Sequence, residues 1–384
     1  KRVILKVSDY RSAFIQGKFL AKKGIWVSEF RVESGLNCGG HAFATEGSLM
    51  GPILEEFGKN RKELTETLES LLIQALSDKE KTIPEKGMEI RITAQGGVGT
   101  SEEHRCLIEQ YNLDSIGWGS PFLLVPEATT VDRETMTKLI SAKEDDLYLS
   151  EISPLGIPFN NLKDNSKDNE KMEKVEAGRP GSPCPKEFLA LHSEVGSKNL
   201  CTASRQYQRN KIKLLDQAEL PKEQYDRNFK SIIEKACLCM GLGEASMQVY
   251  GLEPTANKKG VSICPGPNMA YFDKIMSLKD IADHIYGRIN VITRSNRPQM
   301  FVKELQLYLT YLSNKIDEIK EAPTKQQQKY ITTFSKNLQQ GIDYYLDLSE
   351  QLKNKYKEGF EQIEKEMNLQ KNSMNELRAR FALM

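Results

Sequence analysis

No apolar run in this sequence approaches the roughly 20 residues that span a bilayer. The opening Lys1-Arg2-Val3-Ile4-Leu5-Lys6 also lacks an apolar stretch followed by a small-residue cleavage site. An excess of one charge is missing too, with 54 Lys+Arg against 53 Asp+Glu and a formal net charge of +1. That balance gives no field for phosphate backbones or anionic lipid, and no local basic patch replaces it, so neither nucleic acid nor a membrane is an expected partner. A regular disulfide framework is absent as well. The seven cysteines are an odd number, and Cys237 and Cys239 stand too close together to belong to one. Reduced thiols or metal ligands in a cytoplasmic protein are the expectation.

What is present is ordinary globular chain. The 384 residues are 39% hydrophobic, the mean hydropathy is -0.52, and the length allows two or three domains. From Arg2 to about Val125, apolar runs alternate with helical patterns as in parallel α/β units. Strands are expected at Val3–Val7, Ile25–Val32, Glu89–Thr93 and Ser115–Gly119. Helices are expected over Tyr10–Lys23, much of Pro52–Leu76, and Glu102–Tyr111 with Ser101 as its cap. Four such units are half of an eight-unit barrel. Residues 1–159 are therefore read as a barrel half, and the Asn-, Lys- and Gly-rich stretch 160–186 as a polar linker or surface loop. Residues 187–276 read as a helical, cysteine-bearing region. In 277–384, Leu305, Leu309, Leu312, Ile316 and Ile319, then Ile342, Tyr345, Leu348 and Leu352, recur at the spacing of long antiparallel helices. The chain starts directly before a strand, and further residues upstream are expected.

Three loops at strand ends carry the chemistry. Gly96-Gly97-Val98-Gly99-Thr100 lies between a strand and a helix, where its backbone N–H groups can converge on an anion, although a plain tight turn is the alternative. Glycine serves there because a Cβ would hold a phosphate off the backbone. The next strand ends in Gly119-Ser120, and barrels commonly share one phosphate site between two consecutive loops. The strand before them ends in a loop containing Gly39, Gly40 and His41. Histidine suits proton transfer near neutral pH, and two glycines allow a flavin or substrate to approach the backbone; otherwise His41 caps a helix or bonds a carbonyl.

The order Gly-Gly-His, then Gly-Gly-Val-Gly-Thr, then Gly-Ser-Pro-Phe-Leu resembles the C-terminal half of the nitronate monooxygenase (2-nitropropane dioxygenase-like) barrels, with other FMN or phosphate barrels more distant in pattern. The resemblance covers about Val3 to Val125. It implies a TIM-type (β/α)8 fold, an FMN-dependent oxidoreductase acting on a small molecule, and His41 as catalytic base. Gly39 and Gly40 would border the cofactor, while Gly96, Gly97, Gly119 and Ser120 would hold its phosphate. The first strands of such a barrel are absent, so a longer chain, a partner chain or a homo-oligomer would have to supply them.

Cysteine adds one further expectation. Cys184 and Cys264 lie in proline-flanked loops, and with Cys201 and Cys239 they are candidate thiolate ligands for zinc or an iron–sulfur cluster. Cys237 and Cys239, two apart on a helix, face different sides, so at most one of them would serve. Arg205, Tyr207 and Arg209 fit either an anionic site or a surface helix. Two rival functions remain at this point: a non-catalytic, metal-stabilised assembly module, and a barrel that binds a phosphorylated substrate without flavin.

Overall fold

The computed structural model describes residues 2–85, 87–184, 186–196, 198–252, 259–319, 322–352 and 360–382. Its first third alternates strand and helix: β1 (Val3–Val7), α1 (Tyr10–Lys22), β2 (Val27–Glu33), α2 (Met50–Ser77), β3 (Arg91–Gln95), α3 (Ser101–Tyr111), β4 (Ser115–Gly117) and α4 (Arg133–Ser141). The hairpin β5 (Leu147–Ser150) and β6 (Phe159–Leu162) follows, and then helices α5 (Ser166–Glu176), α6 (Arg205–Asp216), α7 (Lys222–Glu234), α8 (Leu238–Val249) and α9 (Leu278–Ile285). The chain closes with α10 (Met300–Asp317), α11 (Lys325–Leu352) and α12 (Phe360–Ala382). Among the described residues no helix is long and apolar enough to cross a membrane.

The strands pair in parallel in the order β1-β2-β3-β4, which is their order in sequence. A doubly wound sheet reverses its order partway, whereas a barrel wall does not. Right-handed crossovers in sequential order place every connecting helix on one side of the sheet. Register and side-chain chemistry agree with this. Val7, Val32, Ala94 and Ile116 are aligned across the sheet, as are Leu5, Phe30 and Ile92, and they join the core formed with α1, α2 and α3. Gly17 in α1 lets that layer close, since a Cβ there would lie 2.8 Å from Leu68 of α2 and 3.1 Å from Phe30. The opposite face aligns Lys6, Arg31, Thr93 and Ser115 in one row and Glu33 with Gln95 in another. In a closed barrel that face is the interior. The fold is therefore α/β: half of a TIM-type barrel followed by a mainly helical region. Among the described residues, neither β1 nor β4 pairs with a further strand.

The expectation for 160–186 needs correction. This stretch completes β6 and forms α5, and Asn160, Asn161 and Asn165 are buried. Asn165 Nδ2 donates to the carbonyl of Leu162 at 2.7 Å and to Asp168 Oδ2 at 2.7 Å, while Asn161 Nδ2 donates to the Tyr148 hydroxyl at 3.1 Å. Amides that satisfy one another can be buried without apolar neighbours, so a polar composition did not mean an exposed loop here.

The helical spacing of the C-terminal region holds. Leu305, Leu309, Leu312, Ile342, Tyr345 and Leu348 share one core with Leu54, Phe57 and Leu64 of α2. Within it, α10 carries a buried acid, Glu304. Ser34 Oγ donates to it at 2.6 Å, the Met50 amide at 3.1 Å and the Tyr345 hydroxyl at 2.9 Å. Four segments thus meet on one carboxyl group. Burial outweighs these donors and raises its pKa from 4.5 to about 7.

In that range the folded chain keeps a proton that the unfolded chain releases. Stability should therefore be greatest below about pH 4.5 and fall by on the order of 3 kcal/mol as pH rises to about 7, as far as this group is concerned. Urea midpoints measured across that range should show this slope. The Glu304→Gln variant should lose it, and an unchanged slope would place the titration elsewhere.

Candidate functional site

Because β2, β3 and β4 run in parallel, their C-terminal ends deliver three loops to one rim of the sheet. Those loops line a single cavity of about 320 Å³ that includes Gly39, Gly96, Gly97, Gly119 and Ser120. Asn37, Trp118, Cys264 and Asn268 complete much of its wall. Gly96 and Gly97 have φ of 119° and 75°, a region that L side chains rarely adopt. A Cβ on Gly97 would also lie 2.1 Å from Asn37 Nδ2. Gly119 differs, because a Cβ there would meet nothing within 4 Å and would project into open space.

The glycine loop is fixed from below by a buried ion pair. Glu103 in the first turn of α3 and Arg297, which precedes α10, are 6% and 8% exposed and approach to 2.8 Å. Glu103 Oε2 accepts from the amides of Gly99 at 2.8 Å and Thr100 at 3.2 Å, and Oε1 from that of Met300 at 2.8 Å. Arg297 donates to the Gly97 carbonyl at 2.7 Å and to Asn268 Oδ1 at 2.9 Å, while Asn268 Nδ2 donates to the Val98 carbonyl at 2.8 Å. The amides of Gly99 and Thr100, which lead into α3, are therefore taken by the chain's own carboxylate. A ligand phosphate is left with the 96–98 backbone and the Gly119–Ser120 turn.

The rest of the wall offers both kinds of hydrogen-bonding group. Ser120 Oγ accepts from the Gly266 amide at 2.8 Å, which leaves its own O–H to donate. Asn37 Nδ2 donates to the Met300 carbonyl at 3.2 Å, but its buried Oδ1 has no hydrogen-bond partner among the described residues. Such an orphaned acceptor suits a ligand hydroxyl or N–H. Burial pushes the Cys38 thiol well up, with Glu33 adding to the effect, so Cys38 stays a neutral wall.

Gly40 and His41 stand beside this cavity without lining it. The His41 segment pairs with Phe159, and His41 Nε2 lies 2.7 Å from Ser153 Oγ. Burial, then the Lys6 charge, lowers its pKa below 6.5, so its imidazole is neutral at pH 7.

Of the four candidate metal ligands, the three whose side chains are described are not gathered in one place. Cys184 and Cys201 line one cavity and Cys264 another, and the side chain of Cys239 lies outside the described residues. Among the described residues no group of three or more His, Cys, Asp or Glu side chains forms a metal site. Cys264 instead packs its backbone against Gly39, where a Cβ would lie 2.4 Å from the Cys264 carbonyl oxygen. The proline-flanked loop serves close backbone contact.

Asn37, Asn268, Glu103 and Arg297 escaped the sequence reading. Glu103 had a signal, since Thr100-x-x-Glu103 is a capping box, and Thr100 rather than Ser101 is the cap. Asn268 and Arg297 lie far along the chain and offered none.

No family model matches the chain, and no curated protein matches it. Among solved structures, FabK from Thermotoga maritima is similar at 13% identity and a TM-score of 0.37, over 75% of this chain and 61% of that one. A mutant of the same protein is similar at 12% identity and a TM-score of 0.34, over 81% and 63%. The chain thus spans less than two thirds of each. So remote a likeness assigns no reaction, and the fold described above rests on strand order and register.

Removing one partner of a buried ion pair leaves the other charge unpaired, at a cost of about 3–5 kcal/mol. Arg297→Met should therefore lower the free energy of unfolding by about that much in urea titration. Adding Glu103→Gln to it should recover part of the loss, and a stability unchanged by Arg297→Met would mean that the pair does not hold the loop.

Proposed function

We propose that the chain forms part of an FMN-dependent oxidoreductase resembling nitronate monooxygenase, acting on a small-molecule substrate, with the FMN phosphate held at the cavity on the strand ends. The observation that carries this reading is that one cavity gathers Gly39, Gly96, Gly97, Gly119 and Ser120 from three consecutive parallel units.

The residues present fit such a group. Gly119 leaves room that any side chain would fill. The Ser120 hydroxyl and the 96–98 backbone offer donors to a phosphate, and the Asn37 Oδ1 atom offers an acceptor to a ribityl hydroxyl. When bound, FMN supplies hydride or single-electron transfer to the substrate. The chain's own part is to position and to move a proton. His41, neutral at pH 7, accepts one at an imidazole nitrogen and is oriented by Ser153. Trp118, whose indole N–H donates to His104 Nδ1 at 3.0 Å, forms part of the cavity wall. The polar sheet face and the open β1 and β4 edges support completion of the barrel by strands outside this chain, in a longer polypeptide, a partner or a second copy.

FMN titrated into the chain should show a shifted absorbance band near 450 nm and quenched fluorescence. Gly119→Leu should weaken binding at least tenfold while leaving the melting temperature nearly unchanged, because only the ligand contests that space. Equal FMN affinity in the variant would remove the cavity from the account. Binding of inorganic phosphate that Gly119→Leu abolishes, with no binding of FMN, would favour a phosphorylated substrate instead.

Turnover of an alkyl nitronate tests the proton-transfer residue. His41→Ala should lower kcat by about 10²–10⁴-fold with FMN binding intact, the usual size of a general acid/base contribution. Unchanged turnover would leave His41 with only its structural bond to Ser153.

A further inference from the structure

A second cavity, of about 450 Å³, lies away from the strand ends and shares no lining residue with the first. Its wall includes Ser204, Arg205 and Arg209 from the start of α6, together with Asn199. Neither guanidinium has an ion pair or side-chain hydrogen bond among the described residues, and the Arg205 Nε atom is buried with no acceptor. The single carboxylate in the wall, Glu187, is already paired with Lys198 at 2.6 Å. Tyr207, which the sequence grouped with these arginines, points away and donates its hydroxyl to Glu194 at 2.6 Å.

Two unpaired guanidinium groups in one concavity repel each other, and a buried N–H without an acceptor is destabilising. Both conditions are relieved by one ligand, an oxyanion that accepts from the Arg205 and Arg209 forks together. Arg205 is also the first residue of α6, so the positive end of the helix dipole adds to the same field. We infer that this cavity binds the phosphate group of a small phosphate monoester. Its volume falls in the range that takes a small organic ligand rather than a bare ion. The site stands independently of the flavin reading, because it draws on none of the glycine loops.

Isothermal titration of inorganic phosphate, and then of glycerol phosphate and glycerol, into the full chain tests the assignment. To separate the two cavities, the same titrations are run on Gly119→Leu, which occludes the first. Phosphate and glycerol phosphate should bind both proteins, glycerol should bind neither, and Arg205→Gln or Arg209→Gln should weaken binding at least tenfold. Arg209 is exposed, so its replacement leaves the fold intact and a loss of binding there reports the site. Binding that disappears in Gly119→Leu yet survives both arginine replacements would overturn the inference, as would the absence of saturable binding at millimolar phosphate.

Discussion

The ion pair between Glu103 and Arg297 is the contact on which the strand-end cavity depends. Each partner is nearly inaccessible, so neither charge is tolerable without the other. Their hydrogen bonds to Gly97, Gly99, Thr100, Asn268 and Met300 convert a flexible glycine loop into a fixed one. Glycine is what permits the loop's backbone conformation, and the ion pair is what selects it. A loop of this composition without that clamp would lose the entropy of ordering each time a ligand entered.

A second polar junction accompanies the first. Glu304 collects donors from the end of β2, the start of α2 and α11, and it lies on the same helix that Arg297 precedes. Two acids, one per junction, thus hold the C-terminal helices against the barrel half, while the apolar seam of α10, α11 and α2 supplies most of the burial. The cavity forms where the halves meet. Its glycines come from the strand loops, and Asn268 and Cys264 come from a segment more than a hundred residues downstream. Burial by itself would bring these surfaces together without fixing their register, and the directional bonds to Glu103 and Glu304 set it.

Much of this was legible in the sequence because it is local. The strands, the helices and the three glycine loops announce themselves by spacing and composition, and the placement of Gly39, Gly96, Gly97, Gly119 and Ser120 around one cavity follows from parallel strands ending on one rim. What stayed hidden was long-range pairing. Nothing near Arg297 or Asn268 marks either as a partner of residues near position 100. The stretch 160–186 misled for a related reason: its asparagines bond one another in the interior, and polarity was read as exposure. The cysteines were ambiguous because proline-flanked thiols suit metal ligation and close backbone packing equally well, and only three-dimensional distance separates the two.

If FMN binds as proposed, its phosphate is held by the 96–98 backbone and the Gly119–Ser120 turn, while Glu103 keeps the Gly99 and Thr100 amides that lead into α3. A crystal structure of the chain with FMN tests this most directly. The expected result is phosphate density against Gly96, Gly97, Gly119 and Ser120, a ribityl hydroxyl donating to Asn37 Oδ1, and an intact bond between Glu103 and the Gly99 amide. Density for the phosphate elsewhere, or Glu103 displaced from the loop by it, would contradict that placement.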